Sequence, residues 1–200
     1  MALPDVVRID ARDDRGRTAL LHHGWREIEL LEIWRRSLAA PDMSGGRAEC
    51  HIREAAPGDL PALADIAVAS FDQDRLHVDV TVTTEEADAA KVEWVRRAFA
   101  DWETEGLVAC DPADRSTAIA FAFFKYHAGR VIVDLIAVDK EYRGKNIAQA
   151  LVVAGAKLYP DASAIQAGTQ RHNIPGRALY RSLGFQVAEV WRTFHKEAPA

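Results

Sequence analysis

The stretch Val131-Ile132-Val133-Asp134-Leu135-Ile136-Ala137-Val138 is almost wholly apolar and rich in β-branched residues. A run of this kind, without helical spacing and too short for a bilayer, predicts a central strand covered on both faces. The chain is thereby committed to a layered fold with a sheet in the middle. The segment that follows narrows it further. Asp139 to Lys145 form a short polar loop, and a helix is expected from Asn146 to Leu158. The opening turn of a helix carries unpaired N–H groups and a partial positive charge, which suits a phosphate. Gly144 lets the backbone approach closely, and Arg143 and Lys145 add charge. Taken alone, the junction is equally an ordinary tight strand–helix connection with solvated basic residues. The spacing is neither that of a P-loop nor of GxGxxG.

The rest of the chain arranges itself around this unit. Pro41-Asp42-Met43-Ser44-Gly45-Gly46 has the composition of a linker, so residues 1–46 are expected to be an N-terminal extension and 47–200 the main domain. Within the extension, residues 17–24 form a short helix stopped at Gly24. Trp25 to Leu38 has no clean period, and strand or helix stays open. Beyond the linker, strands are expected at 51–55, 107–110, 117–126, 131–138, 164–169 and 185–195. Helices are expected at 60–71 and 174–183. A further helix opens at the capping box Thr83-Thr84-Glu85-Glu86; it turns Trp94, Ala98 and Trp102 inward and ends before Gly106. Antiparallel strands leading into a strand–helix–strand unit, then a helix and a strand, make a mixed α/β sheet with helices on both faces.

Composition removes several classes of function. At 200 residues, 48% hydrophobic and a net charge of −5, the chain suits one well-packed domain with no basic surface for duplex nucleic acid. No apolar stretch approaches the roughly 20 residues of a membrane span, and the N-terminus lacks a signal-peptide pattern. Cys50 and Cys110 are far apart, which speaks for two buried or half-buried thiols over a metal site. A cytoplasmic protein without a metal is expected.

VDLIAVDKEYRGKNIAQAL resembles the cofactor motif of the GNAT acetyltransferases, Arg/Gln-x-x-Gly-x-Gly/Ala after a central strand. Arg143 matches its first residue and Ala148 its last; Asn146 stands where the family has glycine. The resemblance implies a GNAT fold and acetyl-CoA as co-substrate. It also implies that backbone amides of residues 143–148 (Arg143, Gly144, Lys145, Asn146, Ile147 and Ala148) hold the pyrophosphate, and that Ile136, Ala137 and Val138 pair with the pantetheine like an added strand. GTQRHNIPGRALYRSLGF resembles the family's closing motif. Asn173 is a natural N-cap, Pro175 suits a first turn and Gly184 a helix end. Without the family, Tyr180 reads as a half-buried core residue. The resemblance makes it the acid that protonates the departing thiolate, and makes Asn173 a contact of the cofactor arm.

A narrower likeness concerns the acceptor. Asp74-Arg75-Leu76-His77-Val78-Asp79 with Trp94-Val95, Thr169-Gln170 and Phe194-His195-Lys196 resembles the dTDP-fucosamine acetyltransferases. These act on the amino group of a dTDP-linked dideoxy sugar, which implies Arg75, His77 and Gln170 as acceptor contacts. Ala19 to Trp25 resembles the end of their N-terminal part and faintly echoes Ala178 to Phe185. Direct transfer to a primary amine is therefore expected, with a backbone N–H near Val138 stabilising the oxyanion. No side chain stands out as a base: Asp134, His77 and His172 are read as structural or substrate-contacting, and water carries the proton away. Alternatives are another small amine (an amino acid, aminoglycoside or antibiotic precursor) and a non-catalytic acyl-CoA-binding module. A homodimer is compatible with either.

Overall fold

The structure is a computed structural model that describes residues 3–40, 43–71 and 74–196. The start of the linker, Pro41-Asp42, and of the acceptor loop, Asp72-Gln73, lie outside the described residues. In chain order the elements are β1 (Asp5–Asp10), α1 (Asp14–His22), β2 (Arg26–Ser37), β3 (His51–Glu54), α2 (Leu60–Ser70) and α3 (Thr84–Ala100). They continue with β4 (Thr104–Cys110), β5 (Ala118–His127), β6 (Arg130–Val138), α4 (Ile147–Gly155), β7 (Ala164–Gln170), α5 (Ile174–Ser182) and β8 (Gln186–Lys196). Eight strands form one sheet in the order β1-β8-β2-β7-β6-β5-β4-β3. Among the described residues, β6 and β7 are the only neighbours that run parallel. This is the expected α/β architecture, mostly antiparallel with helices on both faces.

Two apolar layers flank the sheet, and the alternation along β5 separates them. Ala120, Ala122 and Phe124 belong to the layer with Ile147, Leu151 and Val152 of α4 and Tyr180 of α5. Phe121 and Phe123 point the other way, into the layer with Leu63, Ile66, Val95 and Ala98 of α2 and α3. A period of two along a strand produces this division. The Thr83–Glu86 capping box opens α3 as expected, with both reciprocal hydrogen bonds present. The helix ends at Ala100, however, because Asp101 turns to extended backbone (ψ 109°). Trp102 therefore lies on the surface, 88% exposed, and does not point inward. Gly106 does not follow the helix end but sits within β4. A Cβ there would fall 2.7 Å from the Phe123 ring and 2.8 Å from the Ala55 side chain, so close packing accounts for the glycine.

Trp25 to Leu38, left open by the sequence, is mostly the long strand β2, and it lies between β7 and β8. The extension thus contributes two strands to the same sheet. Its β1-α1-β2 unit repeats β7-α5-β8 at a constant offset. Asp13 caps α1 by accepting from the Gly16 amide, as Asn173 caps α5 by accepting from the Gly176 amide. Gly24 and Gly184 end the two helices with φ of +78° and +77°. Leu31 pairs with Trp191, Leu30 with Arg192 and Glu32 with Val190. A local two-fold therefore passes between Leu31 and Trp191 and exchanges the two units.

Candidate active site

The two parallel strands part company halfway along. β6 pairs with β7 only from Arg130↔Ala164 to Val133↔Ala167. At that point Asp134 has no counterpart in β5, since Phe124 faces Val133 and Phe123 faces Leu135. One extra residue on one strand is a β-bulge, which bends the strand and increases its twist. β7 stays paired to β2 on its other edge along its whole length, from Ser37↔Ala164 to Leu31↔Gln170. Between the separated ends opens a cleft of about 1210 Å³. It exceeds the roughly 300–1,000 Å³ that suits one drug-sized ligand, so it has room for two substrates. Leu135 to Val138 line it with a strand edge free of β7. An extended ligand can add to such an edge through main-chain hydrogen bonds.

Every expected cofactor residue lines this cleft except Lys145. Gly144 (φ +76°) and Asn146 (φ +59°) are both left-handed, a conformation open to glycine and tolerated by asparagine. Asn146 begins α4 without a side-chain cap, and a Cβ at Gly144 meets nothing within 4 Å. The first-turn amides of α4 are thus uncontested by a cap, and there is room in front of them; the site fits a pyrophosphate. The basic side chains are otherwise engaged. Arg143 Nε donates to the Val138 carbonyl (3.1 Å) and Nη2 to Ser70 Oγ (3.1 Å). Lys145 Nζ lies 4.7 Å from the centre of the Tyr142 ring, and the Tyr142 hydroxyl donates to Asp111. They brace the loop. The asparagine has a use of its own: its Nδ2 donates to the Arg47 carbonyl (3.3 Å). Gln149 accepts from the Gly46 amide (2.7 Å) and donates to Ser182 Oγ (2.9 Å), which ties the linker to α4 and α5.

Tyr180 is 3% exposed and lines the cleft from α5. It packs on Phe185 and Trp34, with ring centroids 5.4 and 6.5 Å away. Burial pushes its pKa well above that of a free phenol, so it stays protonated and able to donate. Asn173 also lines the cleft, but both ends of its amide are in use: Oδ1 accepts from Gly176 (2.9 Å) and Nδ2 donates to Thr169 Oγ1 (3.0 Å). α5 is anchored from β2, where buried Glu32 accepts from Arg177 Nε and Arg171 Nε, both at 3.0 Å.

The residues expected to contact the acceptor divide. Arg75 and Gln170 line the cleft, whereas His77 does not. His77 lies in a cluster behind it, with Nδ1 at 3.3 Å from Asp74 and Nε2 at 3.2 Å from the fully buried Lys91. Asp74 closes the local turn by accepting from the Leu76 amide (2.7 Å), so the first half of the motif shapes the loop that presents Arg75. Asp134 points to Lys125 (3.1 Å). The sequence reading missed Glu29, on β2. It is buried in the cleft wall beside Arg8 and Arg75, and neither carboxylate oxygen has a hydrogen-bond partner among the described residues. Burial raises its pKa, against the charges of Arg8, His172 and Arg75. The available signal was an acid at a position where its own strand should be apolar.

The sequence profile of the acetyltransferase (GNAT) family matches residues 61–185. The chain belongs to the GNAT family. Beyond this profile, the Bacillus subtilis spore coat polysaccharide biosynthesis protein SpsD is 28% identical over 142 residues, 70% of this chain and 48% of that protein. The GNAT chain described here thus spans about half the length of that relative. Among solved structures, a GCN5-related N-acetyltransferase from Sphaerobacter thermophilus superposes with a TM-score of 0.66 at 19% identity, over 97% of this chain and 60% of the other. A tandem GNAT protein of the clavulanic acid biosynthesis pathway gives 0.61 at 16%, over 98% and 64%. The PaiA N-acetyltransferase from Thermoplasma acidophilum, in complex with coenzyme A, gives 0.54 at 19%, over 74% and 99%. These likenesses establish the fold. Among the described residues, no helix is long and apolar enough to cross a membrane, and no cluster of metal-ligating side chains occurs.

Proposed function

We propose that this GNAT chain transfers an acetyl group from acetyl-CoA to the primary amine of a nucleotide-linked amino sugar. The observation that carries the proposal is the opening between β6 and β7, lined by buried Tyr180 and by a buried Glu29 without a hydrogen-bond partner among the described residues. Acetyl-CoA supplies the activated thioester. The loop at 143–148 holds its pyrophosphate through backbone amides, and the free edge of β6 orients its arm. Glu29 takes a proton from the incoming ammonium, so that the neutral amine can attack the thioester carbon. A backbone N–H of β6 stabilises the charge that develops on the carbonyl oxygen. Tyr180 gives its proton to the departing sulfur as the C–S bond breaks, and the second proton of the nitrogen replaces it. The proton held by Glu29 then passes to solvent.

Arg75 and Arg8 beside Glu29 favour an acceptor that carries anionic charge as well as an amine, as a nucleotide sugar does. A relative named for polysaccharide biosynthesis supports a sugar. Release of coenzyme A thiol with a dTDP-linked 4-amino sugar, set against the free amino sugar and aminoglycosides, tests the assignment. The nucleotide sugar should turn over with much the higher kcat/KM. Equal turnover of the unlinked amines leaves only a general small-amine acetyltransferase, and no thiol release with any amine points to an acyl-CoA-binding module.

A further inference from the structure

Behind the acceptor end of the cleft, buried His195 and Asp79 form a line with half-buried Arg75, and the transfer chemistry uses neither of the two buried groups. His195 of β8 is 0% exposed; its Nδ1 lies 2.7 Å from Asp79 Oδ2 and its Nε2 3.1 Å from Arg75 Nη1. Arginine only donates, so Nε2 must accept. The imidazole proton therefore sits on Nδ1 and points at the carboxylate, and the ring is neutral. Asp79 is itself fixed by Arg26 Nη1 (2.8 Å) and by the Thr81 hydroxyl (2.8 Å). At the far end, the Arg75 guanidinium lies over Trp94 and in the cleft wall next to Glu29. The arginine is thereby held by a buried acceptor that is itself hydrogen-bonded to Asp79.

We infer that His195 is a positioning residue for the acceptor: in its neutral form it aims Arg75 at the acceptor's anionic group, and protonation at Nε2 releases that arginine. The inference rests on the anionic acceptor proposed above. The charged groups around the ring are Asp79 and Arg75 from the loop and Arg26 from β2, while its neighbour in β1 is apolar Val6. Burial, with the charge of Arg75, lowers the pKa of His195 against the pull of Asp79. Once protonated, Nε2 has an N–H facing the N–H groups of Arg75, and an attraction becomes a repulsion. Anion affinity should therefore hold steady near neutrality and fall in mildly acid solution, below the ordinary imidazole range.

Two substitutions separate positioning from packing. His195→Gln places an acceptor oxygen near the position of Nε2 and cannot titrate. His195→Asn keeps a donor for Asp79 but does not reach Arg75. Losing one charge-assisted hydrogen bond is worth roughly 10- to 100-fold in affinity. His195→Asn should raise the KM of the amino-sugar nucleotide by that factor, with kcat and acetyl-CoA affinity within about twofold of wild type. His195→Gln should keep KM within about threefold. Calorimetry with inorganic pyrophosphate and with dTDP from pH 5 to 8, both on protein saturated with coenzyme A so that the cofactor loop is occupied, supplies a readout independent of turnover. The wild type should lose affinity on the acid side more steeply than His195→Gln, which shares every titration of the ligand itself. The loss should track the His195 imidazole followed by nitrogen NMR in the wild type, a measurement that needs no variant to fold. Parallel pH profiles for wild type and His195→Gln, or equal KM for the two variants, overturn the inference. Failure of either anion to bind the wild type at any pH, with amine acetylation intact, overturns the anionic acceptor itself.

Discussion

Tyr180 and Glu29 are both taken out of water, and burial pushes both toward their protonated forms. The consequences are opposite. A phenol kept protonated is ready to act as an acid, whereas a carboxyl kept protonated is a base that works only above its raised pKa. Tyr180→Phe keeps the ring and its packing, so kcat should drop about 100- to 10,000-fold while acetyl-CoA affinity measured by calorimetry is unchanged. Glu29→Gln should lower kcat/KM near neutrality and recover as pH rises and free amine accumulates. Its effect on stability runs the other way. In the window between the unfolded and folded pKa values of Glu29, the native state holds the more protons, so stability falls as pH rises. Above that window the ionised carboxylate keeps its full cost, and Glu29→Gln should therefore raise Tm at neutral pH. At Asn146 the left-handed backbone decides the outcome. Asn146→Gly should leave acetyl-CoA affinity within about threefold, and Asn146→Val should weaken it strongly, since a β-branched residue resists φ near +59°. Gly144 and Asn146 were legible because the loop there constrains the backbone, and both are left-handed; Tyr180 was singled out only by the family resemblance, since by itself it reads as a core residue. Glu29 was not, because burying an unpaired acid runs against every local rule.

Among the elements, β2 shows why a strand can hide. Its two buried acids, Glu29 and Glu32, are served from different parts of the fold, one in the cleft wall and one paired to α5. Ile28 is an extra residue between the pairs Glu27↔Phe194 and Glu29↔Thr193, and it breaks the period of two along β2. Periodicity therefore has nothing to find, although the neighbouring helix α1 was recognisable from its glycine stop. Glu32→Ala should destabilise the protein by less than the about 3–5 kcal/mol of a fully buried pair, since Arg171 and Arg177 are 50% and 28% exposed. A urea midpoint reads this out, and the loosening of α5 should appear as a lower kcat. The loop from Asp74 to Thr83 depends on Asp79. Burial opposes ionisation there, but hydrogen bonds from Thr81, His195 and Arg26 prevail and hold the carboxyl at about 2. Its stabilisation is complete above the ordinary aspartate value near 4 and is lost as pH falls toward about 2. Proteolysis within residues 74–83 should rise across that interval.

At the scale of the molecule, the α/β architecture and the strand–helix alternation were legible because apolar runs and caps are local. The sheet order was not. Placing a strand of the extension between β7 and β8 depends on contacts between the two ends of the chain, and only the faint echo of Ala178–Phe185 in Ala19–Trp25 hinted at it. That placement also fixes the order in which the molecule can be completed. β8 is synthesised after both of its neighbours, β1 and β2, and must be slotted between them. While the ribosome is still making α5, β1 and β2 have no strand between them. The loop residue Asp79 has no His195 to meet, and the edge of β2 at Glu29 lacks its ladder partner Thr193. The cofactor loop, flanked by β6 and α4, can form much earlier. A nascent chain stalled before β8 should therefore be competent to hold coenzyme A yet unable to gather an acceptor, and its half-built sheet should recruit chaperones until the last strand arrives.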